Sequence, residues 1–147
     1  MSLLPHEHYM KAAFREAENA FNDEEVPVGA VVVCRGHIIA KGHNQVERLN
    51  DVTAHAEMIA ITSASEFLGS KYLNECWMYV TLEPCLMCAT AMNWAKLGGL
   101  VYGASDRERG FVQTGQKILH PKTEVIGGVM EVECSGLIKE FFQARRN

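Results

Sequence analysis

Two short stretches of this 147-residue chain hold side chains that could do chemistry together. Thr53-Ala54-His55-Ala56-Glu57 reads H-x-E, and some thirty residues later Pro84-Cys85-Leu86-Met87-Cys88 reads P-C-x-x-C. One imidazole and two thiolates make three soft or borderline metal ligands. That is the number a catalytic zinc keeps while its fourth position stays open to water. Glu57 is not needed as a ligand. A water so placed needs a neighbour to take its proton and hand it on, and a carboxylate suits that task.

The local structure expected around these residues agrees with that chemistry. Cys85 and Cys88 stand nearly one turn apart at a helix start, so both sulfurs face the same way. The positive end of the helix favours thiolate, the form a metal needs. His55 falls in the first turn of another helix. Two helix N-termini then converge beyond the strand ends of a sheet, where open α/β sheets place their ligands. Each half of the pattern is ambiguous alone, because C-x-x-C is more often redox or structural and H-x-E means little. In this order, with both halves at strand–helix junctions, they point to catalytic zinc.

A closed structural site would need a fourth ligand, and Cys34, Cys76, Cys134, His43 and His120 are the candidates. Cys34 and Cys76 lie in or beside strands and read as core. Cys134 falls in the last helix, His43 reads as a loop residue, and His6, His8 and His37 read as surface histidines. Glu57 in a helix first turn would be stabilising without any chemistry; its adjacency to a metal ligand favours a proton shuttle. Asn44 leaves the second strand just before the site. Its amide could bond a ribose or a base, or simply cap a loop.

These residues need a scaffold. Apolar spacing predicts a helix over 5–22, with Tyr9, Met10, Ala13, Phe14, Ala17, Ala20 and Phe21 on one face. Asn22 to Glu25 and Pro27 end it. Val28–Cys34 is a near-continuous apolar strand, as in a sheet covered on both faces. Arg35-Gly36 turns it into a second strand over 37–41. Gln45–Asp51 reads as a polar loop. Asp51 or Thr53 is expected to cap a helix to about Phe67, with Met58, Ile59, Ile61 and Ala64 buried and Gly69 ending it. Trp77–Leu82 is a strand, and Pro84 is placed in the first turn of a helix running to about Lys96. Gly99–Gly103 is the next strand. Residues 104–122 are turn-rich, with one helical turn around Gln116–Leu119. Glu124–Ile126 is a short strand, and Val132–Arg146 is a last helix with Leu137, Ile138, Phe141 and Phe142 as its apolar face. This order predicts a single domain over 1–147: a three-layer α/β/α sandwich with a mixed, mostly five-stranded sheet and a parallel, right-handed middle.

Composition excludes several classes. Hydrophobic residues make up 48% and charged residues 22%, so the chain can bury a core. It has no apolar run long enough to span a membrane, and its N-terminus lacks the basic start and apolar stretch of a secretory signal. Five cysteines spaced unlike a disulfide framework suggest a reducing cytoplasm. The net charge of −4 does not advertise a nucleic-acid binder, but it is uneven. Residues 1–95 carry 6 Lys/Arg against 12 Asp/Glu, and residues 96–147 carry 8 against 6. A phosphate-contacting face would draw on Lys96, Arg107, Arg109, Lys117 and Lys122; scattered solvated charge is the plainer reading.

H-x-E followed by P-C-x-x-C is the signature of zinc deaminases of nucleobases. The chain resembles the bacterial tRNA adenosine deaminases of the cytidine deaminase-like superfamily, over nearly its whole length. The matching pieces are Val26–Val33, His43-Asn44, Asp51–Met58, Tyr79–Cys88, Val101–Asp106 and Glu140–Arg146. The resemblance implies a cytidine deaminase-like fold and a homodimer that converts the wobble adenosine of a tRNA anticodon to inosine. It implies one Zn2+ per subunit on His55, Cys85 and Cys88, with Glu57 as proton shuttle. It implies that Asn44 contacts the flipped nucleoside, and it adds Asp106, Phe142, Arg145 and Arg146 as substrate contacts toward the anticodon stem-loop. In such a dimer the loop before the H-A-E helix can line the partner's site. One departure is Arg109–Gly115, which stands where many relatives carry a small-residue G-A-A-G-S stretch.

A rival with the same zinc and glutamate is a deaminase of a free base or nucleoside such as guanine, cytosine or cytidine. An exposed basic rim on an open pocket would favour RNA; a pocket sealed by the C-terminal segment would favour a small molecule. A rival of another class is a catalytically silent zinc-stabilised binding module, against which the presence of Glu57 argues.

Overall fold

The computed structural model describes residues 4–145. Arg146, expected among the substrate contacts, lies outside the described residues. The chain runs α1 (His6–Asn22), β1 (Gly29–Cys34), β2 (His37–His43), α2 (Val46–Leu49), α3 (Ala56–Leu68), β3 (Cys76–Leu82), α4 (Leu86–Trp94), β4 (Gly99–Ala104), β5 (Glu124–Ile126) and α5 (Glu131–Arg145). A 3₁₀ turn covers Phe111–Thr114. The sheet order is β2-β1-β3-β4-β5. β1 is antiparallel to both neighbours, while β3–β4 and β4–β5 are parallel. The expected mixed five-stranded sheet is therefore present.

Apolar side chains cover both faces. Ala30, Val32, Met78, Val80 and Leu100 pack toward the alanines of α3 and the Cys88–Met92 face of α4. The alternate residues Val31, Val33, Tyr79 and Val101 pack toward Tyr9, Met10 and Ala13 of α1 and Cys134 of α5. The period of two along each strand divides the core between two helical layers.

Several expectations about local structure are corrected. Residues 46–49 of the expected polar loop form the short helix α2, because buried Glu25 accepts the backbone N–H groups of Glu47 and Arg48 at its start. Neither Asp51 nor Thr53 caps α3. His55 occupies that position, and Asp51 instead accepts both the N–H and the hydroxyl of Thr53 in a turn. The fully buried residues of α3 are Ala56, Glu57, Ala60 and Ala64 rather than the larger Met58, Ile59 and Ile61. Gly42 explains this: a Cβ there would press on the Ala56 carbonyl, so helix and strand approach too closely for bulk. α4 begins at Leu86 after Cys85, leaving Pro84 outside the helix. The helical turn in 104–122 is at 111–114, not 116–119. In α5, Cys134 and Phe141 are the buried residues and Phe142 faces outward.

Candidate active site

His55 and Cys85 are the residues from which α3 and α4 start. Both have extended backbone angles, so each side chain projects off a helix end beyond the sheet. Cys88 follows one turn into α4 and is fully buried. The ligand atoms of His55, Cys85 and Cys88 all lie within 4.8 Å of one another. His55 Nδ1 stands 3.6 Å from Cys85 Sγ and 3.5 Å from Cys88 Sγ. Tetrahedral zinc bonded to nitrogen and sulfur at its usual lengths holds such atoms about 3.6 Å apart. The donor set therefore fits zinc in both chemistry and spacing. It is the one such metal-binding group among the described residues, and none of Cys34, Cys76, Cys134, His43 or His120 joins it.

The remaining candidates for a fourth ligand have other roles. Cys34 and Cys76 are cross-strand partners on β1 and β3. Cys134 packs on β4, its sulfur where a Cβ at Gly103 would sit. His43 ends β2 between Glu16 and Asp23, at 3.4 and 3.5 Å, rather than in a loop. His6, expected at the surface, is half-buried and bonds Tyr79 Oη at 2.7 Å.

Glu57 enters the site from the first turn of α3 and is only 4% exposed. Burial raises its carboxyl to about 7, and His55 opposes that shift. Cys85 is drawn down to about 4, first by its hydrogen bond with Cys88 and then by His55. Cys88 is raised by Cys85 and by burial. The bond to Cys85 raises His55. The site thus favours thiolate at Cys85 and holds a carboxyl able to change protonation near neutral pH.

A cleft of about 1100 Å³ opens above these residues. Val28, Asn44, Val46 and Glu47 form one wall, Ser105–Arg109 another, and Ile138, Phe141, Phe142 and Arg145 of α5 a third. Asn44 is buried at the end of β2, where its N–H donates to the Val28 carbonyl. Asp106 lines the cleft, but its Oδ1 accepts the N–H groups of Glu108 and Arg109. Phe142 is 45% exposed. Arg145 lies 3.6 Å above the Phe141 ring and donates to the Glu24 carbonyl. Of the basic residues expected on one face, Arg107 and Arg109 reach the cleft, whereas Lys96 sits over the Tyr72 ring at 4.5 Å.

Sequence reasoning missed two buried carboxylates in these walls, Glu25 and Glu83. Each uses both oxygens to accept two backbone N–H groups, Glu25 at the start of α2 and Glu83 from the segment after β4. The available signal was a glutamate at the border of an apolar strand segment and close to a proline: Glu83-Pro84 after one strand and Glu25-Val26-Pro27 before another.

Comparison with known proteins agrees with this geometry. The family model described as the cytidine and deoxycytidylate deaminase zinc-binding region matches residues 4–104. A tRNA-specific adenosine deaminase of Aquifex aeolicus is 45% identical over 145 residues, covering 96% of each chain. A structure from a study of A-to-I editing by tRNA:A34 deaminases at the wobble position superposes with a TM-score of 0.83. It is 42% identical and covers 88% of this chain and 98% of its own. A guanine deaminase from Bacillus subtilis is 38% identical with a TM-score of 0.68, over 78% of this chain and 73% of its own. Near-full-length relatives and the three-residue metal set lead to the same conclusion: the chain belongs to the zinc-binding cytidine and deoxycytidylate deaminase family, in the group of the tRNA-specific adenosine deaminases.

Proposed function

We propose that the protein hydrolyses the wobble adenosine of a tRNA anticodon to inosine, releasing ammonia. The observation that carries this reading is the meeting of His55, Cys85 and Cys88 beside buried Glu57 at the floor of a wide cleft. One zinc per subunit, held by those three residues, would supply Lewis-acid activation of the attacking water. Glu57 takes a proton from that water and delivers it to N1 of the adenine, beside the attacked C6. It then passes the water's second proton to the departing amine. A carboxyl buried beside the ligand set can accept a proton and return it. Asn44 bonds the flipped nucleoside, and Asp106, Phe142, Arg145 and Arg146 meet the RNA around it.

An anticodon loop is single-stranded, so the target base leaves its stack at little cost. Arg107, Arg109, Lys139, Phe142 and Arg145 are exposed along the cleft, interspersed with exposed Glu24, Glu47 and Glu108; an open rim with cations at these points suits a macromolecule that extends past the cleft over a ligand that must be enclosed. The likeness to a guanine deaminase supports a second reading, deamination of a free base by the same zinc and glutamate. The test is incubation with an arginine tRNA anticodon stem-loop alongside guanine, cytosine, adenosine and cytidine, scoring ammonia and inosine. Turnover of the stem-loop alone supports the first reading; turnover of a free base alone replaces it with the second.

The protein is taken to act as one catalytic domain in the cytoplasm, as a homodimer. Trp94 and Leu86 stand exposed on α4 and Val52 on the loop before α3, apolar surface that a second copy would cover. Sedimentation should give a dimer that Trp94→Glu weakens; a monomeric wild type would remove the dimer from the account.

A further inference from the structure

Glu83 ends the apolar run of β3 two residues before Cys85, and the chemistry above does not use it. It is 5% exposed, yet no cation pairs with it among the described residues. Backbone N–H groups take that role. Oε1 accepts from Asp106 and Oε2 from Val112, both at 3.0 Å. The main chain follows the same line: Glu83 N–H donates to the Ala104 carbonyl at 2.8 Å and Phe111 N–H to the Pro84 carbonyl at 3.0 Å. Cys85 and Gly110 form an isolated bridge. Gly110 lies against the carboxylate, where a Cβ would overlap Oε2. One buried side chain therefore holds both ends of the arc from Asp106 to Val112. Of the exposed side chains of that arc, Arg107, Glu108 and Arg109 line the cleft, and the two arginines are its cations there.

We propose that Glu83 is a positioning residue for substrate: it fixes the 106–112 arc so that Arg107 and Arg109 meet the RNA beside the metal site. The inference rests on the RNA reading above and deepens it. It also explains the residue type. A carboxylate offers an acceptor to each N–H, whereas the isosteric amide offers one acceptor and turns donors toward the other N–H. Either N–H, part-buried beside the carboxylate, loses a charged acceptor in the exchange, which loosens that end of the arc.

The test is Glu83→Gln in the zinc-loaded full chain, read by zinc content, by kcat and KM on the anticodon stem-loop, and by amide hydrogen exchange at Asp106 and Val112. The expected result is unchanged zinc, a KM raised about tenfold with kcat within about twofold, and faster exchange by about tenfold at one of the two amides. Should that variant fold poorly, Gly110→Ala keeps Glu83 itself but forces its carboxylate and the arc apart, with the same KM rise expected. Unchanged KM with both amides still protected would overturn the proposal. So would a fall in zinc content and kcat at constant KM, which would assign Glu83 to the metal helix. If wild type leaves the stem-loop untouched, the RNA reading fails by itself, and exchange at the two amides still decides whether Glu83 holds the arc.

Discussion

The floor and the rim of the cleft are built by different means. At the floor, His55, Glu57, Cys85 and Cys88 sit on the first turns of two helices packed over one sheet, and Glu57 and Cys88 are buried. Their positions follow from backbone geometry. At the rim, Arg107, Arg109, Phe142 and Arg145 are exposed side chains on a loop and on the far end of α5. Their positions depend on side-chain torsions and on hydrogen bonds to loops. The floor should therefore respond to substitution by outright loss, and the rim by small, additive, salt-sensitive changes.

The largest effect should come from removing a floor ligand. Cys88→Ala is expected to lower zinc content and abolish ammonia release, because two protein ligands cannot keep the metal. Unchanged metal stoichiometry would strike Cys88 from the set. Next comes Glu57→Ala, which should keep both zinc and fold while kcat falls by about 10²–10⁴-fold; retained turnover would end the shuttle assignment. A third probe separates floor from rim without substrate. In the metal-free protein, burial raises the Glu57 carboxyl from 4.5 to about 7. The folded state then holds a proton that the unfolded chain releases, so this group's contribution is complete below about 4.5 and is lost as pH rises through about 7. Urea unfolding of metal-free wild type against Glu57→Gln should show wild type losing on the order of 3 kcal/mol relative to the variant between pH 4 and pH 8. Parallel curves would show that the carboxyl is not held protonated. The smallest effects belong to the rim. Arg107→Ala and Arg109→Ala should each weaken stem-loop binding a few-fold and flatten the log–log salt dependence by about 0.7 per lost phosphate contact. A wild-type affinity indifferent to salt would favour the free-base reading.

The same division governs what could be read from sequence. The floor was legible because ligand chemistry and helix starts are local: His55-Ala56-Glu57 and Cys85 to Cys88 carry their own spacing, and the flanking apolar runs give the strands. The parallel middle followed from element order. The rim was not legible, because its shape comes from contacts distant in sequence. Phe111 turns inward against Tyr102, and Glu83 draws in Asp106 and Val112, so the helical turn falls at 111–114. In the same way, α2 forms because Glu25, in an acidic run that reads as a helix stop, caps it from 22 residues away. The alanine seam of α3 is also tertiary in origin, set by how closely the helix approaches Gly42. Phe142 falls on an apolar periodicity and yet is exposed, since Cys134 and Phe141 take the buried positions of α5.

The proposed chemistry at the floor depends on three protein ligands leaving one position for solvent. X-ray absorption at the zinc edge of the purified protein tests this directly. The account predicts one nitrogen at about 2.0–2.1 Å, two sulfurs at about 2.3 Å and one further oxygen. A closed shell of four protein atoms, whether a third sulfur or a second imidazole, would contradict it.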